Sequence, residues 1–589
     1  MKISEYLVRS LELNGIKQAF CVTGGAASNL MDSLRNSKIT TVHNHHEQAC
    51  AMAADAYARI IKKPALVLCT NGPGVTNLIT GVAGAYQDSI PMFVITGQVS
   101  KKHLLNNSKF ELRQLGVQEI RTEPLVASIT KYYKMVTSPN EIDEIFQEAI
   151  LKMYEGRMGP VWLEIPLDVQ NEETTFIPKV LSTNLPVLHL ELSPLIELLR
   201  NAQKPLVVAG NGIHLSNSES HFLEFIKTNS LPFVSTWSAS DLCSSEDELY
   251  VGNFGILGQR AANLAVQNSD VLLVLGSRLS IPNIGYEFNL FAKNAQIVMV
   301  DIDPNEIQKE TLNVSIEIVA DLKRFFLNFK SQAQIESDYS NWVENLQKLK
   351  ITLGLEIERS ISQTEKIDSY EFIKCLSRSL SDEIVVTDMG TSFTCTMQSL
   401  TNNGLNRLIT SSALSSMGFG LAGAIGVSSI PESRTICIAG DGGFQMNIQE
   451  LQTIKDNNLD VKIFVLNSNG YLAISIMQEN SFEGRYFGAN PVSGIGAPDF
   501  VAIGTAYGIH SEKLDWRPEF AKSQIHRILN SPGPILCEVP ISQEQKMRPR
   551  VQSIRDKDGK FSSPSLEVMW PQLSEDLDFQ VRRLLDIKT

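Results

Sequence analysis

An acidic residue and three neutral oxygen donors follow two successive strand patterns late in the chain. The stretch IAGDGGFQMNIQELQTIKDNNLDVKIFVLNSNGY places Asp441 after one apolar run, and Asn467, Ser468 and the carbonyl of Gly470 after the next. One helical segment separates the runs, so the two strands are expected to be neighbours whose carboxyl ends share a site. Hard divalent cations prefer oxygen ligands and a phosphate partner. The spacing therefore predicts a magnesium site with these four residues as candidate ligands.

Glycines at the same turns predict a diphosphate site beside the cation. Gly442 and Gly443 follow Asp441 directly, and Gly470 precedes Tyr471. Glycines let backbone N–H groups approach phosphate oxygens closely. GDGG alone would describe an ordinary strand end, but GDGG followed by a helix, a strand and an asparagine-rich turn is a much more specific pattern.

A second candidate group lies near the start of the chain, in HNHHEQACAMAADAYAR. Glu47 follows three histidines and precedes a run rich in alanine, which predicts a helix that packs very closely against a neighbour. An acid in the first turn of a helix is ordinarily a solvated residue favoured by the helix dipole. Glu47 by itself therefore does not indicate a function.

Short apolar, β-branched runs alternate with helical patterns along the chain and must position these residues. ALVLCT, MFVITG, PLVVAG, VLLVLG and TICIAG are typical of strands buried on both faces of parallel sheets. The sequence predicts an α/β fold with three doubly wound parallel-sheet domains, at residues 1–170, 190–335 and 366–545. Residues 546–589 are predicted to form a tail that is either a surface extension or a flap over the active site.

The composition limits the classes of function. The chain has 52 Lys and Arg against 65 Asp and Glu, a net charge of −13, which argues against nucleic-acid and membrane-surface binding. Its eight cysteines show no CxxC spacing and are predicted to be reduced core residues. The N-terminal MKISEYLVRSLELNG is typical of an amphipathic helix and not of a signal peptide. We expect a cytoplasmic protein that binds small molecules.

The two motifs together resemble those of thiamine-diphosphate-dependent enzymes. GDG with NSN after the next strand resembles the diphosphate and magnesium motif of that family, and HHEQACAMAADAYAR resembles its glutamate-containing helix. NGPGVTNLITGVAGAYQDSIPMFVITGQ and SSMGFGLAGAIG match further segments. The resemblance covers nearly the whole chain and is closest to the acetolactate synthase group. Within that group, LRQLGVQEI and NGYLAI resemble acetolactate-synthase-like proteins of bacterial surface-polysaccharide biosynthesis.

The resemblance implies roles for three catalytic residues. The domains would be pyrimidine-binding, central Rossmann-like and diphosphate-binding. Glu47 would hydrogen-bond N1′ of the aminopyrimidine and activate the cofactor. Gln118 would contact the intermediate derived from the donor substrate. His46 occupies the slot of a basic residue, where it would orient Glu47, contact substrate or serve only in packing.

The resemblance also assigns a set of residues to the cofactor. The carbonyl of Ser415 would receive the 4′-amino group, and Met417 would hold the cofactor in its bent shape. The residues implied to contact thiamine diphosphate are Gly24, Gly25, Pro73, Asn77, Gly390, Thr391, Ser392, Ser415, Met417, Gly442, Gly443, Met446, Gly470 and Tyr471.

The central block resembles the flavin-holding domain of the group. KPLVVAGNGI, LGSRLS and VDIDPNEI carry this resemblance, which makes FAD a candidate ligand. Gly210 and Gly212 would allow close approach, and Asp301 at a strand end would accept ribose hydroxyls. Arg278 is the fourth candidate contact. The alternative is a vestigial Rossmann-like domain without a nucleotide.

The sequence departs from the family at the metal turn. Ser468 occupies the position of the usual metal-binding asparagine, counted from Asp441. A serine hydroxyl is expected to ligate magnesium more weakly than an amide oxygen. If the turn is shifted, Asn467 or Asn469 would be the ligand instead.

Three further departures concern substrate choice. Leu167, Val117 and Met477 stand where the acetohydroxyacid synthases of branched-chain synthesis carry lysine, phenylalanine and tryptophan. This predicts a reshaped acceptor pocket and argues against ordinary acetolactate production.

The sequence thus predicts decarboxylation of a 2-oxo acid, with pyruvate as the expected donor, and carboligation of the two-carbon unit to a carbonyl acceptor. Glu47 and Asp441 lie in different domains, which in the family meet across a subunit interface, so a homodimer or homotetramer is expected. The alternatives are a 2-oxo acid decarboxylase, a C–C bond hydrolase or lyase, and a non-catalytic homologue.

Overall fold

The computed structural model describes residues 1–181, 189–332, 334–359, 366–555 and 561–586. Within those ranges, three six-stranded parallel sheets follow one another along the chain, with helices between their strands. This arrangement confirms the predicted α/β fold with three parallel-sheet domains. Strands such as Leu66–Cys69 and Val271–Leu275 are buried along their whole length, as apolar strands covered on both faces should be.

The N-terminal domain contains the first six strands, in the sheet order β2-β1-β3-β4-β6-β5. These strands are β1 (Gln18–Cys21), β2 (Thr40–His43), β3 (Leu66–Cys69), β4 (Phe93–Gln98), β5 (Tyr132–Met135) and β6 (Val161–Pro166). The helices are α1 (Ile3–Leu13), α2 (Ser28–Arg35), α3 (Glu47–Ile61), α4 (Pro73–Gln87), α5 (Glu123–Val126), α6 (Ile142–Tyr154) and α7 (Leu167–Asn171).

The central domain contains the next six strands. They are β7 (Pro205–Ala209), β8 (Phe233–Ser235), β9 (Tyr250–Asn253), β10 (Val271–Leu275), β11 (Gln296–Asp301) and β12 (Val314–Val319). The helices are α8 (Ser193–Asn201), α9 (Gly212–Leu215), α10 (Glu219–Thr228), α11 (Arg260–Asn268), α12 (Ile281–Ile284), α13 (Pro304–Gln308) and α14 (Leu322–Gln332). The sheet order β12-β11-β10-β7-β8-β9 is the Rossmann order, in which ligands bind at the switch point between β7 and β10.

Helix α15 (Ser340–Arg359) leads to the third domain. Its strands are β13 (Ile384–Thr387), β14 (Arg407–Ile409), β15 (Thr435–Gly440), β16 (Val461–Asn467), β17 (His510–Lys513) and β18 (Ile535–Pro540). The helices are α16 (Ser369–Ser377), α17 (Thr391–Ser399), α18 (Phe419–Ser428), α19 (Asp441–Met446), α20 (Glu450–Asp456), α21 (Leu472–Phe482), α22 (Phe500–Ala506) and α23 (Pro518–Asn530). The sheet order β14-β13-β15-β16-β18-β17 repeats that of the first domain.

The C-terminal segment packs against the central domain. It contains β19 (Arg550–Val551), β20 (Ile554–Arg555), β21 (Phe561–Ser562), β22 (Met569–Trp570) and α24 (Glu575–Leu584). Leu566, Val581 and Leu585 join the apolar core around β10 and α11. Among the described residues, no helix has the length and apolar character needed to cross a membrane.

Small residues bring the backbones of α3, α4 and α18 close together. A side chain on Gly426 would overlap the carbonyl of Ala53, and one on Gly81 would come 2.5 Å from the Cβ of Ala51. Gly423 lies opposite Ala56, so α3 and α18 run antiparallel. The alanine run after Glu47 therefore makes the tightly packed helix that its composition predicts.

Candidate active site

Three of the predicted metal-site groups lie together beyond β15 and β16. The Oδ2 atom of Asp441 accepts hydrogen bonds from the backbone N–H of Ser468 (2.8 Å) and Gly470 (3.0 Å), and from Ser468 Oγ (3.1 Å). Ser468 Oγ is also 2.9 Å from the carbonyl oxygen of Gly470. The register of the two strands, with Gly440 opposite Leu466, sets this arrangement. It offers one carboxylate, one hydroxyl and one carbonyl to a cation.

The two asparagines of the turn point elsewhere. Asn467 donates from Nδ2 to Glu538 at 3.1 Å and accepts from the N–H of Asn469 at 2.8 Å. Asn469 accepts from the N–H of Ala497 at 2.9 Å. Ser468 is therefore the side chain of this turn that reaches Asp441. One carboxylate, one hydroxyl and one carbonyl suit a hard cation that keeps phosphate or water ligands. Among the described residues, no group of three or more His, Cys, Asp or Glu could hold a metal.

The predicted diphosphate loop begins at the end of β13, next to β15. Gly390 has a φ of +93° and leads into α17. The hydroxyl of Thr391 is buried and has no hydrogen-bond partner among the described residues. A Cβ on Gly440 would lie 3.8 Å from Ser392 Oγ, so the two loops face each other. Buried polar groups are almost always hydrogen-bonded, and a phosphate oxygen would satisfy this one.

The glycines of the GDGG turn lie next to Met417, the residue predicted to hold the cofactor in its bent shape. A Cβ on Gly442 would overlap the ring of Tyr471 and come 3.2 Å from Met417 Cε. Ser415 adopts a φ of +58° just before Met417. Met446, at the end of α19, is about half exposed. The structure thus brings Met417 and Tyr471 onto the turn that carries Asp441.

Asp388 is a residue of this site that the sequence reasoning missed. Its fully buried carboxylate accepts from the N–H groups of Met389 (2.7 Å), Gly418 (3.1 Å) and Gly420 (3.0 Å). It also lies against Gly443, where a Cβ would come 2.6 Å from Asp388 Oδ1. Burial raises the pKa of Asp388 to about 6, although the three N–H groups lower it. Asp388 joins the three loops, and its position at the end of β13 was its only sequence signal.

Glu47 is the first residue of α3 and is buried. Its Oε2 atom accepts from Asn77 Nδ2 at 2.9 Å, and Oε1 lies 3.6 Å from the Cβ position of Gly74. His46 caps the helix, because its Nδ1 accepts from the N–H of Gln48 at 3.1 Å. The neutral imidazole therefore carries its proton on Nε2. Of the predicted residues, Asn77 is the direct partner of Glu47.

The remaining N-terminal residues gather at the ends of β1 and β3. A side chain on Gly24, which precedes Gly25, would overlap Thr70, and Pro73 begins α4. Gln118 is exposed and has a φ of +59°. Its carbonyl touches Gly72, where any Cβ would overlap it.

The three substituted pocket positions differ in exposure. Val117 exposes 81 % of its surface and Met477 exposes 42 %, whereas Leu167 is half-buried at the start of α7. The side chains of Val117 and Met477 are therefore accessible to solvent in the single chain, so they are free to adjust to a bound acceptor or a second chain.

Three family models match the chain in the order of its domains. They describe the thiamine pyrophosphate enzyme N-terminal TPP binding domain (residues 1–121), its central domain (192–328) and its C-terminal TPP binding domain (388–539). The large subunit of acetolactate synthase isozyme 2 from Escherichia coli (strain K12) is 31% identical over 94% of this chain and 97% of that protein. The acetolactate synthase large subunit of Lactococcus lactis is 32% identical, over 93% and 94%. The chain belongs to the acetolactate synthase group of thiamine pyrophosphate enzymes.

Membership of this group confirms the predicted thiamine-diphosphate-dependent, acetolactate-synthase-like enzyme that decarboxylates and carboligates. A probable acetolactate synthase large subunit of Methanococcus aeolicus is also 31% identical, over 92% of both chains. These relatives do not favour the predicted alternatives of a lyase or a non-catalytic homologue.

In this acetolactate-synthase-like chain, the third domain also holds the segment that precedes Glu47. The buried carboxylate of Glu450 accepts from Asn44 Nδ2 at 2.9 Å and from the N–H of His45 at 3.1 Å. His45 Nδ1 is 2.9 Å from Thr453 Oγ1. Glu450 is a second acid that the sequence reasoning missed, because its partners are distant in sequence.

The central domain forms one wall of a cavity of about 940 Å³ at the switch point between β7 and β10. Gly212, Arg278 and Asp301 line it. Gly210 lies behind this lining, where a side chain would overlap Gly276. Burial raises the pKa of Asp301, although the N–H of Asp303 lowers it.

Two further groups fit a polar ligand in this cavity. Trp237 Nε1 and Thr311 Oγ1 belong to lining residues, and both atoms are buried without a partner among the described residues. A ligand with oxygen acceptors would satisfy them.

Proposed function

We propose that this enzyme uses magnesium and thiamine diphosphate to take a two-carbon unit from pyruvate and join it to a carbonyl acceptor larger than a second pyruvate. The cluster of Asp441, Ser468 Oγ and the Gly470 carbonyl carries the proposal. The hydrogen bond from Asn77 to Glu47 in the first domain also supports the proposal. The exposed Val117 and Met477 support a permissive acceptor pocket, since methionine adapts to irregular shapes.

When bound, thiamine diphosphate supplies a nucleophilic carbon and an electron sink for the loss of CO2. Glu47 would share a proton with the aminopyrimidine ring, and Asn77, which donates to Glu47 Oε2, would fix this carboxylate. Gln118 orients the substrate-derived group. His46 Nε2–H is a donor for a substrate carboxylate or for Glu47.

Magnesium fits the oxygen cluster in the third domain. Asp441 supplies the charge, and Ser468 Oγ and the Gly470 carbonyl supply neutral ligands, with diphosphate oxygens as the remaining partners. The N–H groups of Ser468 and Gly470 hold the carboxylate in place. The buried hydroxyl of Thr391 would donate to a diphosphate oxygen.

A homodimer is proposed as the smallest active unit. The resemblance to this group implies that Glu47 of one chain and the Asp441 site of another chain meet across a subunit interface. Several exposed apolar side chains lie in each of the two segments 110–117 and 482–492, among them Phe110 and Phe487, and these are the surfaces that a second copy would cover. A second copy would bring its own Glu47 to this chain's Met417 loop.

Mixing two inactive variants tests this arrangement. Glu47→Gln protein and Asp441→Ala protein, dissociated and reassociated together, form hybrid dimers with one intact site. We expect roughly a quarter of the wild-type activity for random pairing of two chains. A site built within one chain would give no recovery.

FAD is proposed as the ligand of the cavity in the central domain. Trp237 Nε1, Thr311 Oγ1 and the buried Asp301 are the groups that would meet its polar atoms. The proposed decarboxylation and carboligation are redox-neutral overall, so FAD fills the cavity without a redox step in this reaction. Flavin absorbance after denaturation of the purified protein tests for FAD. Asp301→Ala should lower the flavin content and leave the thiamine diphosphate content unchanged.

The cytoplasm is the proposed compartment. All eight cysteines are free, and seven of them are buried. Free thiols in this number are typical of a reducing environment. Detection in a cell fraction that excludes secreted protein would test this.

Product analysis tests the function itself. Purified enzyme is given pyruvate alone, and then pyruvate with a larger aldehyde or ketone, and the products are identified by mass spectrometry. We expect slow acetolactate formation with pyruvate alone and faster turnover with the larger acceptor. Efficient acetolactate synthesis that no added acceptor changes would contradict the proposal.

A further inference from the structure

A buried carboxylate in the first domain lies at the end of a chain of side-chain hydrogen bonds. Glu164, in β6, is fully buried. It accepts from Gln98 Nε2 (3.0 Å), Thr122 Oγ (2.6 Å) and Tyr133 Oη (2.6 Å). All three neighbours donate, so the ionised carboxylate is the form that satisfies every hydrogen bond.

The chain of hydrogen bonds continues from Gln98 toward the candidate active site. Gln98 Oε1 accepts from the N–H of Val99 (2.8 Å) and from Asn71 Nδ2 (3.3 Å). These contacts fix the orientation of the Gln98 amide. Asn71 Nδ2 also donates to the carbonyl of Val117 at 3.1 Å. Every donor in this series points toward Glu164, except the second N–H of Asn71, which binds the turn before Gln118.

The turn at Gln118 needs such support. Gln118 has a φ of +59°, a conformation that residues other than glycine adopt only where their surroundings enforce it. Gly72, itself at φ +60°, lies against the Gln118 carbonyl, where any side chain would overlap. Asn71 therefore binds the carbonyl before the Gln118 α-carbon, and Gly72 leaves room for the carbonyl after it.

We propose that Glu164 is a positioning residue, which acts through Gln98 and Asn71 to hold Gln118 in the geometry that the carboligation reaction needs. This inference rests on the proposed function and on the role proposed there for Gln118. Glu164 itself does not touch the reacting atoms.

The protonation state of Glu164 gives the proposal a specific signature. Burial raises the pKa of Glu164 to about 7, although Thr122, Tyr133 and Gln98 lower it; the nearby Glu119 raises it further. Tyr133, whose pKa burial also raises, and Glu123 are the other titratable groups close by. Protonation adds a hydrogen to a carboxylate already surrounded by donors, so it should loosen the contact with Gln98.

Glu164→Gln tests the inference, with Glu123→Gln as the matched control. Glu123 is an exposed carboxylate next to Thr122. For the wild type, kcat/KM with the 2-oxo acid should rise as the pH passes about 7. Glu164→Gln should lose that ionisation and lower kcat about tenfold at alkaline pH, with a smaller change in KM, because misplaced groups lower rates. Glu123→Gln should keep both the ionisation near pH 7 and the wild-type kcat.

A second variant covers the case in which Glu164→Gln folds poorly. Tyr133→Phe removes one donor to the carboxylate, so the ionisation in the pH profile should move to higher pH while kcat at alkaline pH is kept. The inference is wrong if Glu164→Gln retains the wild-type kcat and profile, or if Tyr133→Phe leaves the ionisation where it was.

An unfolding measurement separates this inference from the proposed function. The pKa of Glu164 is raised in the fold from 4.5 to about 7. Its contribution to the free energy of unfolding is therefore fully present below pH 4.5 and is lost as the pH rises to about 7. The wild type should lose stability relative to Glu164→Gln across that interval, and an unchanged difference would contradict the assignment. Absence of any turnover by the wild type would refute the proposed function instead.

Discussion

The first and third domains have the same strand order but different chemistry at the same crevice. In the third domain, the crevice between β13 and β15 contains Gly390, Gly440 and the hydroxyl of Thr391, which has no partner among the described residues. In the first domain, the chain packs closely at the corresponding crevice between β1 and β3, since Gly24 lies against Thr70 and Gly97 lies against Ala26. The topology supplies the location of both sites, and the residues at the strand ends decide the chemistry.

The two domains also use their buried acids differently. Asp388 accepts hydrogen bonds from backbone N–H groups of the loops that would surround the cofactor. Glu164 ends a series of side-chain amides that leads to Gln118. In the third domain the Asp388 carboxylate thus binds the loop backbone directly. In the first domain the Glu164 carboxylate reaches the backbone only through the side chains of Gln98 and Asn71. Substitutions in the third domain should therefore affect cofactor binding, and those in the first should affect turnover.

The largest expected effect is on binding, from Asp441→Ala. The substitution removes the charged ligand of the proposed cation and leaves the N–H groups of Ser468 and Gly470 unpaired. Magnesium-dependent retention of thiamine diphosphate should weaken more than about 100-fold, since loss of an outer partner alone costs 10–100-fold. Equilibrium dialysis with and without magnesium measures it.

Asn467→Ala is the control for this prediction. Asn467 belongs to the same turn but is directed at Glu538. The Asn467→Ala variant should retain magnesium-dependent cofactor binding. Equal losses in the two variants would mean that the turn as a whole, and not the Asp441 carboxylate, holds the cation.

The next largest effect is on rate, from Glu47→Gln. The variant keeps the shape of the side chain and its contact with Asn77 but cannot accept the proton. Cofactor binding should be retained, while exchange of the cofactor C2 proton should slow about 10²–10⁴-fold, the usual size of an acid–base contribution. Deuterium exchange followed by NMR measures it. Exchange at the wild-type rate would contradict the role proposed for Glu47. Loss of cofactor binding would contradict the expectation that substitutions in the first domain affect turnover and not binding.

The sequence predicted the parts of this contrast that depend on local spacing. Asp441, Ser468 and Gly470 follow adjacent parallel strands, so their convergence follows from topology. Asp388 and Glu164 were missed, because a single acid in an apolar segment has no periodic signal.

Long-range contacts and backbone geometry set the rest. Glu450 binds Asn44 across 406 residues of sequence, and no local pattern records such a pair. The direction of each side chain in the Asn467–Asn469 turn depends on the φ of +58° at Asn469, which spacing alone does not specify.

A smaller effect is expected from Asp388→Asn. The amide keeps the volume of the carboxylate but turns an –NH2 group toward backbone donors. Thiamine diphosphate affinity should fall roughly tenfold, since hydrogen bonds to charged groups contribute about 1.5–3 kcal/mol.

The pH dependence of cofactor binding supplies the control for Asp388. Because its pKa is raised to about 6, wild-type affinity should decline as the pH falls below that value and the carboxylate is protonated. Asp388→Asn should lack this decline. A pH dependence shared by both proteins would assign it to another group.

The smallest expected effect, from Ser468→Asn, separates the members of the metal turn. Ser468 Oγ lies between Asp441 Oδ2 (3.1 Å) and the Gly470 carbonyl (2.9 Å), so a side chain at this position points at the proposed cation. An amide oxygen is a better neutral ligand for magnesium than a hydroxyl, and magnesium affinity should be equal or up to about threefold tighter. Titration of magnesium into the thiamine-diphosphate-loaded protein measures it. Asn469→Gly, which keeps the left-handed backbone at this position and loses the contact with Ala497, should leave affinity unchanged. If Ser468→Asn clearly weakens binding while Asn469→Gly does the same, the turn rearranges on binding and Asn469 is the ligand. The single-carboxylate cluster at the end of β15 would then need a different third oxygen, although its contrast with the closely packed crevice of the first domain would remain.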